Sequence, residues 1–113
     1  MKTQYINYLS IILKFEKQII NISSNIEYAY YIGYSYYKIH YFKESIKLLN
    51  MYLKNIELLQ DYDSAHHLEN VSTTLNILSI IFMEEEDYPK AIQYALKAKD
   101  ILQKKGLTKS RTY

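Results

Sequence analysis

The sequence contains no cysteine, no tryptophan, one proline and two glycines. Without cysteine there are no disulfides and no thiolate metal sites, which excludes a disulfide-stapled secreted scaffold. So little glycine and proline argues against an all-β fold, which needs many tight turns. Arginine occurs once, and the net charge is only +2. That is far from the concentrated basic patch of a nucleic-acid binder. Long apolar runs are also missing: the longest uncharged stretch, Asn70 to Met83, is too short to span a bilayer. At the N-terminus, Lys2 is followed by Thr3 to Leu13, a stretch interrupted by polar residues and ended by Lys14, which makes a poor signal-peptide core. A soluble, cytoplasmic protein is the expectation. What is present fits a globular chain: 49% of residues are hydrophobic and 23% charged. At 113 residues the chain suits a single domain. Tyrosine is abundant, at 14 residues. Ile, Lys, Asn and Tyr, whose codons are AT-rich, together supply 50 of the 113 residues, so the bias reads as genomic first and functional second.

Apolar spacing is helical almost throughout. Tyr5, Tyr8, Ile12, Phe15, Ile19 and Ile22 fall at steps of three and four, with Ile6, Leu9, Leu13 and Ile20 beside them. The wide apolar face predicts a lead helix packed on two sides. Ser24 and Glu27 have the spacing of a capping box. A second helix is expected from about Asn25 to Ile39, then a turn around His40-Tyr41. A third carries Phe42, Ser45, Ile46, Leu49, Tyr52, Leu53 and Ile56 on one stripe. It ends near Asp61-Tyr62-Asp63-Ser64, a turn and a new N-cap. A fourth carries Leu68, Val71, Leu75, Leu78 and Phe82; its β-branched content resembles a strand, but its period favours helix. After a turn at Glu86-Asp87, a fifth begins with Pro89 in its first turn, where a missing N–H costs little. It carries Tyr88, Ala91, Ile92, Ala95, Ala98 and Leu102, has Lys104 and Lys105 at its negative dipole end, and stops at Gly106.

A shift of 46 residues aligns the second and third helices with the fourth and fifth. It pairs Ile32 with Leu78, Gly33 with Ser79, Tyr36 with Phe82, Phe42 with Tyr88, Ser45 with Ala91 and Ile46 with Ile92. Identity is almost nil, but residue classes agree. Each unit places a small residue in its first helix and another 12 positions later in its second. Such pairs let two antiparallel helices approach closely.

With those positions in place, the chain resembles the tetratricopeptide repeat. The first copy reads Ala29, Ile32, Gly33, Tyr36, Phe42, Ser45, Leu49, Tyr52; the second reads Leu75, Leu78, Ser79, Phe82, Tyr88, Ala91, Ala95, Ala98. The stretch Glu85 to Ala98 is the most family-like, and the resemblance covers roughly residues 25–105. Ala29 and Leu75 stand where the family has Trp, Tyr52 stands where it has a small residue, and the closing proline is missing. The long repeats look like those of cytoplasmic peptide receptors of low-GC bacteria, the Rap and PlcR type, although no helix-turn-helix is present.

The resemblance implies an all-α fold of antiparallel helical hairpins stacked as a short right-handed solenoid. Residues 1–22 form a lead helix capping the repeats, 23–60 hairpin 1, 61–106 hairpin 2, and 107–113 a flexible tail. It also implies a signalling adaptor that binds a protein or short peptide on the concave face, with no catalysis and no cofactor. The alternative is a fragment or truncated form of a peptide-sensing regulator. Carried over position by position, the face comprises Glu27, Tyr30, Tyr34, Tyr37 and Lys38 in the first unit, and Thr73, Asn76, Ile80, Met83 and Glu84 in the second. Tyr30, Tyr34 and Tyr37 would be apolar anchors with polar tips. Asn76 would hold peptide backbone, and Lys38 and Glu84 would set polarity. The same tyrosine row reads more readily as packing beneath the lead helix or a second copy of the chain. Tyr30 and Tyr34 occupy places where carboxylate-clamp members have Lys and Asn, which speaks against a chain-terminus receptor of that type.

Other candidates read as ordinary surface. Adjacent His66 and His67 point about 100° apart on a helix and do not easily share a metal; His66 with Glu69 is expected to be a solvated pair. Glu84-Glu85-Glu86-Asp87 reads as a solvated acidic turn favourable to a following helix N-terminus. The C-terminal lysines are interrupted by Asp100 and read as a solvated face, with no nucleic acid contacted directly. The triplets beginning at Asn21 and Asn70 match a glycosylation acceptor by chance. With two hairpins rather than three or more, self-association is expected to cap the ends.

Overall fold

A computed structural model describes residues 7–12, 26–56 and 65–104. All regular structure among these residues is helical. Helix α1 includes residues 7–12; α2 spans Ile26–Lys38, α3 Phe42–Asn55, α4 Ala65–Glu84 and α5 Tyr88–Lys104. The expected capping box at Ser24, the turn at residues 61–64, the Gly106 stop and the 107–113 tail lie outside the described residues. The chain divides into two compact units, Met1–Gln60 and Asp61–Tyr113, each containing one helical hairpin.

The two hairpins turn in the same way. In the first, His40 N–H donates to Tyr37 O (3.0 Å) and Tyr41 N–H donates to Tyr36 O (2.8 Å). In the second, Glu86 N–H donates to Met83 O (3.0 Å) and Asp87 N–H donates to Phe82 O (2.8 Å). These paired bonds satisfy the last carbonyls of a helix in a Schellman ending, which needs a left-handed residue just past the helix. His40 (φ 66°) and Glu86 (φ 63°) supply it, 46 positions apart. In the first turn the accompanying apolar contact is the stacking of Tyr41 on Tyr36, with ring centroids 5.9 Å apart.

Neither left-handed residue is glycine. A left-handed conformation costs an L-residue about 1–2 kcal/mol, part of which glycine's greater freedom in the unfolded chain takes back. Glu86→Gly is therefore expected to stabilise the protein by about 0.5–1 kcal/mol, read as a higher urea midpoint. His40 is the poorer test, because its ring also contacts Phe42 at 5.5 Å.

A second shared device sits where the helices cross. Ser45 Oγ on α3 donates to Gly33 O on α2 at 2.7 Å. Ser79 Oγ on α4 donates to Ala91 O on α5 at 2.7 Å. Both bonds span 12 residues and join the small pairs aligned in the sequence, with the donor on opposite members of the hairpin. Close approach is what permits them. A Cβ built on Gly33 would lie 2.8 Å from Leu49 Cδ2.

The cores differ in bulk. In the first unit Ile12, Ile32, Ile39 and Leu48 form a buried cluster, flanked by Tyr8, Leu9, Tyr28, Tyr36 and Met51. Leu49 and Tyr52 of α3 are also fully buried. Leu48 falls outside the stripe expected for this helix, because α3 touches its surroundings over a wider arc than one row. In the second unit α4 is buried along Leu68, Leu75, Leu78, Ile81 and Phe82, whereas α5 buries only Ala91 and Ala98. Tyr88, Ile92 and Ala95 were expected on the buried stripe of this helix, but they are exposed. Tyr94, at steps of three and four from the buried Ala91 and Ala98, packs inward instead, stacking on Phe82 at 5.6 Å and 8°.

Polar side chains on buried helix faces are mostly satisfied locally. Ser35 Oγ donates to Tyr31 O and Thr74 Oγ1 to Asn70 O, each one helical turn back. No helix among the described residues is long and apolar enough to cross a membrane.

Candidate functional site

The two rows assigned to a binding face lie on α2 and α4, one in each unit. On α2, steps of four and three bring Tyr30, Tyr34 and Tyr37 onto one side. Ring centroids of Tyr30 and Tyr34 are 6.3 Å apart, and those of Tyr34 and Tyr37 are 6.4 Å apart. The row is not uniformly accessible. Tyr30 is buried, with its ring 5.3 Å from Tyr52 on α3, while Tyr34 and Tyr37 are half-buried. Tyr8 of α1 meets Tyr34 at 6.3 Å, and Tyr37 stacks on Phe42 at 6.3 Å and 26°. Lys38 is exposed and places its Nζ 5.7 Å from the centre of the Tyr34 ring, within range of a cation–π contact. Glu27 is half-buried at the start of the same helix. The α2 row thus joins the packing of α1, α2 and α3, with Lys38 and parts of Tyr34 and Tyr37 at the surface.

The α4 row is different. This helix is buried around more than half of its circumference, since buried positions recur at Leu68, Ser72, Thr74, Leu75, Ile77, Leu78, Ile81 and Phe82. At about 100° per residue, the strip left over carries Glu69, Asn76, Ile80, Met83 and Glu84. Ile80 is 45% exposed and Met83 51%. Thr73, on the edge of the strip, is half-buried. The residues expected on this helix therefore share a face, with two apolar side chains flanked by an amide and a carboxylate.

The two histidines differ in exposure, while His66 and Glu69 are both exposed. His66 is exposed but His67 is buried, with ring centroids 5.0 Å apart at 61°. Burial follows from the width of the α4 core face, which extends past Leu68 to include position 67. The acidic turn behaves as expected for a helix start: Asp87 Oδ1 accepts a hydrogen bond from Lys90 N–H at 3.3 Å.

One exposed apolar group escaped the sequence reading. Leu96 (59% exposed) continues a line from Tyr88 (51%) through Ile92 (56%) on α5. Its signal was the spacing of four from Ile92, hidden because Ala91 and Ala98 were read into the same stripe. Comparison with known proteins finds no matching family model, curated protein or solved structure.

Proposed function

We propose that the chain is a non-catalytic helical module that binds a peptide or protein partner. In this reading its two hairpins stack as a short right-handed solenoid of the tetratricopeptide kind, and α2 and α4 line the concave face. The observation that carries the reading is the exposed strip of α4, where Ile80 and Met83 lie beside Asn76 and Glu84 on an otherwise buried helix. An extended peptide needs that combination. Its side chains take the apolar area, and its backbone takes an amide able both to donate and to accept. Methionine adapts its shape to different ligand side chains. On α2, Tyr34, Tyr37 and Lys38 contribute rings and a positive charge, and Tyr30 holds Tyr34 from beneath. The recurrence of turn and crossing bonds at a 46-residue interval also fits a repeat protein.

The test is selection of a displayed peptide library on the immobilised full chain, followed by calorimetry. Ile80→Glu is expected to weaken the selected peptides at least about tenfold, by setting a charge against an apolar contact, while the circular dichroism spectrum stays that of the parent. Failure to enrich any sequence, or equal binding by Ile80→Glu, would sink the proposal.

A further inference from the structure

We infer that the outer face of α5 is a self-association surface, which pairs antiparallel with the same face of a second copy of this chain. This surface is separate from the α4 strip, and the inference stands without the peptide-binding reading.

The argument starts from what α5 does with its large side chains. The α3 positions 46 residues earlier than Ala95 and Ala98 hold Leu49 and Tyr52, both fully buried. Helix α5 instead buries the small residues Ala91 and Ala98, with Tyr94 half-buried against Phe82, and it directs Tyr88, Ile92 and Leu96 outward at 51%, 56% and 59% exposure. These three, with exposed Ala95 between the last two, form a straight apolar stripe at steps of four. The α3 positions related to it by the repeat are Phe42 and Ile46, both half-buried, and Asn50, which is exposed and polar.

Charge says what covers the stripe. Its N-terminal end adjoins Glu85, Glu86 and Asp87, of which the first two are exposed. At its C-terminal end Lys99 lies on the same side of the helix as Ile92 and is exposed. The sequence beyond Leu96 carries Lys97, Lys99, Lys104 and Lys105 against Asp100 alone. The surface is thus apolar in the middle, negative at one end and positive at the other. Such a surface complements itself when turned end for end, as a two-fold interface requires. With the axis at Ile92, Ile92 meets its own copy and Tyr88 meets Leu96. Lys99 then lies level with the acidic turn, and the helix dipoles oppose one another. A parallel pair would set acid against acid.

The face is small. A helix of 17 residues is about 25 Å long, so its pairing covers less than the roughly 800 Å² per partner of a standard interface. A dissociation constant of about 10–100 μM is expected, weakening as salt screens the end charges.

Sedimentation equilibrium of the full chain over about 5–500 μM tests this, spanning the expected constant. A reversible dimer is expected, and Ile92→Glu should weaken it at least about tenfold by opposing like charges at the axis. The side chain at 92 is exposed, so the fold is retained, which circular dichroism checks. Because the chain has no cysteine, single introduced thiols report geometry directly. Ile92→Cys should cross-link to itself on oxidation. Tyr88→Cys and Leu96→Cys should cross-link when mixed and far more slowly alone, since Tyr88 and its own copy are about 12 Å apart along the axis. Three results overturn the inference: a monomer throughout, a dimer indifferent to Ile92→Glu, or faster self-linking by Tyr88→Cys than by the mixed pair.

Discussion

Gly33→Val is expected to cost the first hairpin about 3 kcal/mol or more, from overpacking together with a broken buried hydrogen bond. The first branch atom alone has no room. A Cβ at residue 33 falls 2.8 Å from Leu49 Cδ2, 2.9 Å from Leu49 Cγ and 3.3 Å from Leu48 Cβ. Leu49 is fully buried, so its side chain does not swing aside into solvent. The helices must therefore separate, and separation stretches the 2.7 Å bond from Ser45 Oγ to Gly33 O. Ser45 is itself fully buried, so its hydroxyl does not recover that bond from water. Helix propensity pulls the other way, since glycine inside a helix costs about 1 kcal/mol relative to alanine. Gly33→Ala thus sets the two effects against each other and should destabilise less than valine. Urea unfolding followed by circular dichroism reads both variants. A valine variant as stable as the parent would show that the helices do not approach this closely.

Tyr52→Ala should be comparably damaging, at about 3–5 kcal/mol, the usual cost of deleting a buried aromatic ring. Tyr52 has no exposed surface, and its ring lies 5.3 Å from that of Tyr30. Removing it leaves a cavity beneath the α2 row and deprives Tyr30 of its support. Against a total stability of about 5–15 kcal/mol for a typical domain, that is a large share. Thermal unfolding monitored by circular dichroism should show the loss as a lower midpoint, and a midpoint within a degree or two of the parent would contradict the packing described. The consequence for function is practical. In the proposed binding test, loss of ligand in a Tyr30 or Tyr52 variant would report on folding, whereas Ile80 and Met83 are exposed and their variants would report on contact.

The helices were legible because their apolar residues recur at three and four, a signal that burial of one face forces onto any stable helix. The crossing was legible too, in the small residues at Gly33 and Ser45 and at Ser79 and Ala91. What periodicity does not report is how wide the buried face is. On α4 that face is broad enough to take in His67, which lies outside the apolar stripe read for this helix. On α5 it is narrow, so Tyr88 and Ile92 remain outside a core that their spacing seemed to promise. The width depends on what the neighbouring helix offers, and a single helix's pattern does not contain it. The tyrosines pose the related problem that one residue type serves as core at Tyr30 and Tyr52 and partly as surface at Tyr34 and Tyr37.

The crossing bonds carry a further consequence. In one hairpin the hydroxyl belongs to the second helix, and in the other to the first. The unit that matters is therefore the pair, one small backbone-exposing residue and one serine, and not the identity of either position. A hydroxyl lost from one helix and gained on its neighbour leaves the joint intact with its polarity reversed. Two such hairpins score as unrelated when their letters are compared column by column, although the same joint holds each together. Comparison by covarying pairs is the form of search in which kinship between such hairpins becomes visible.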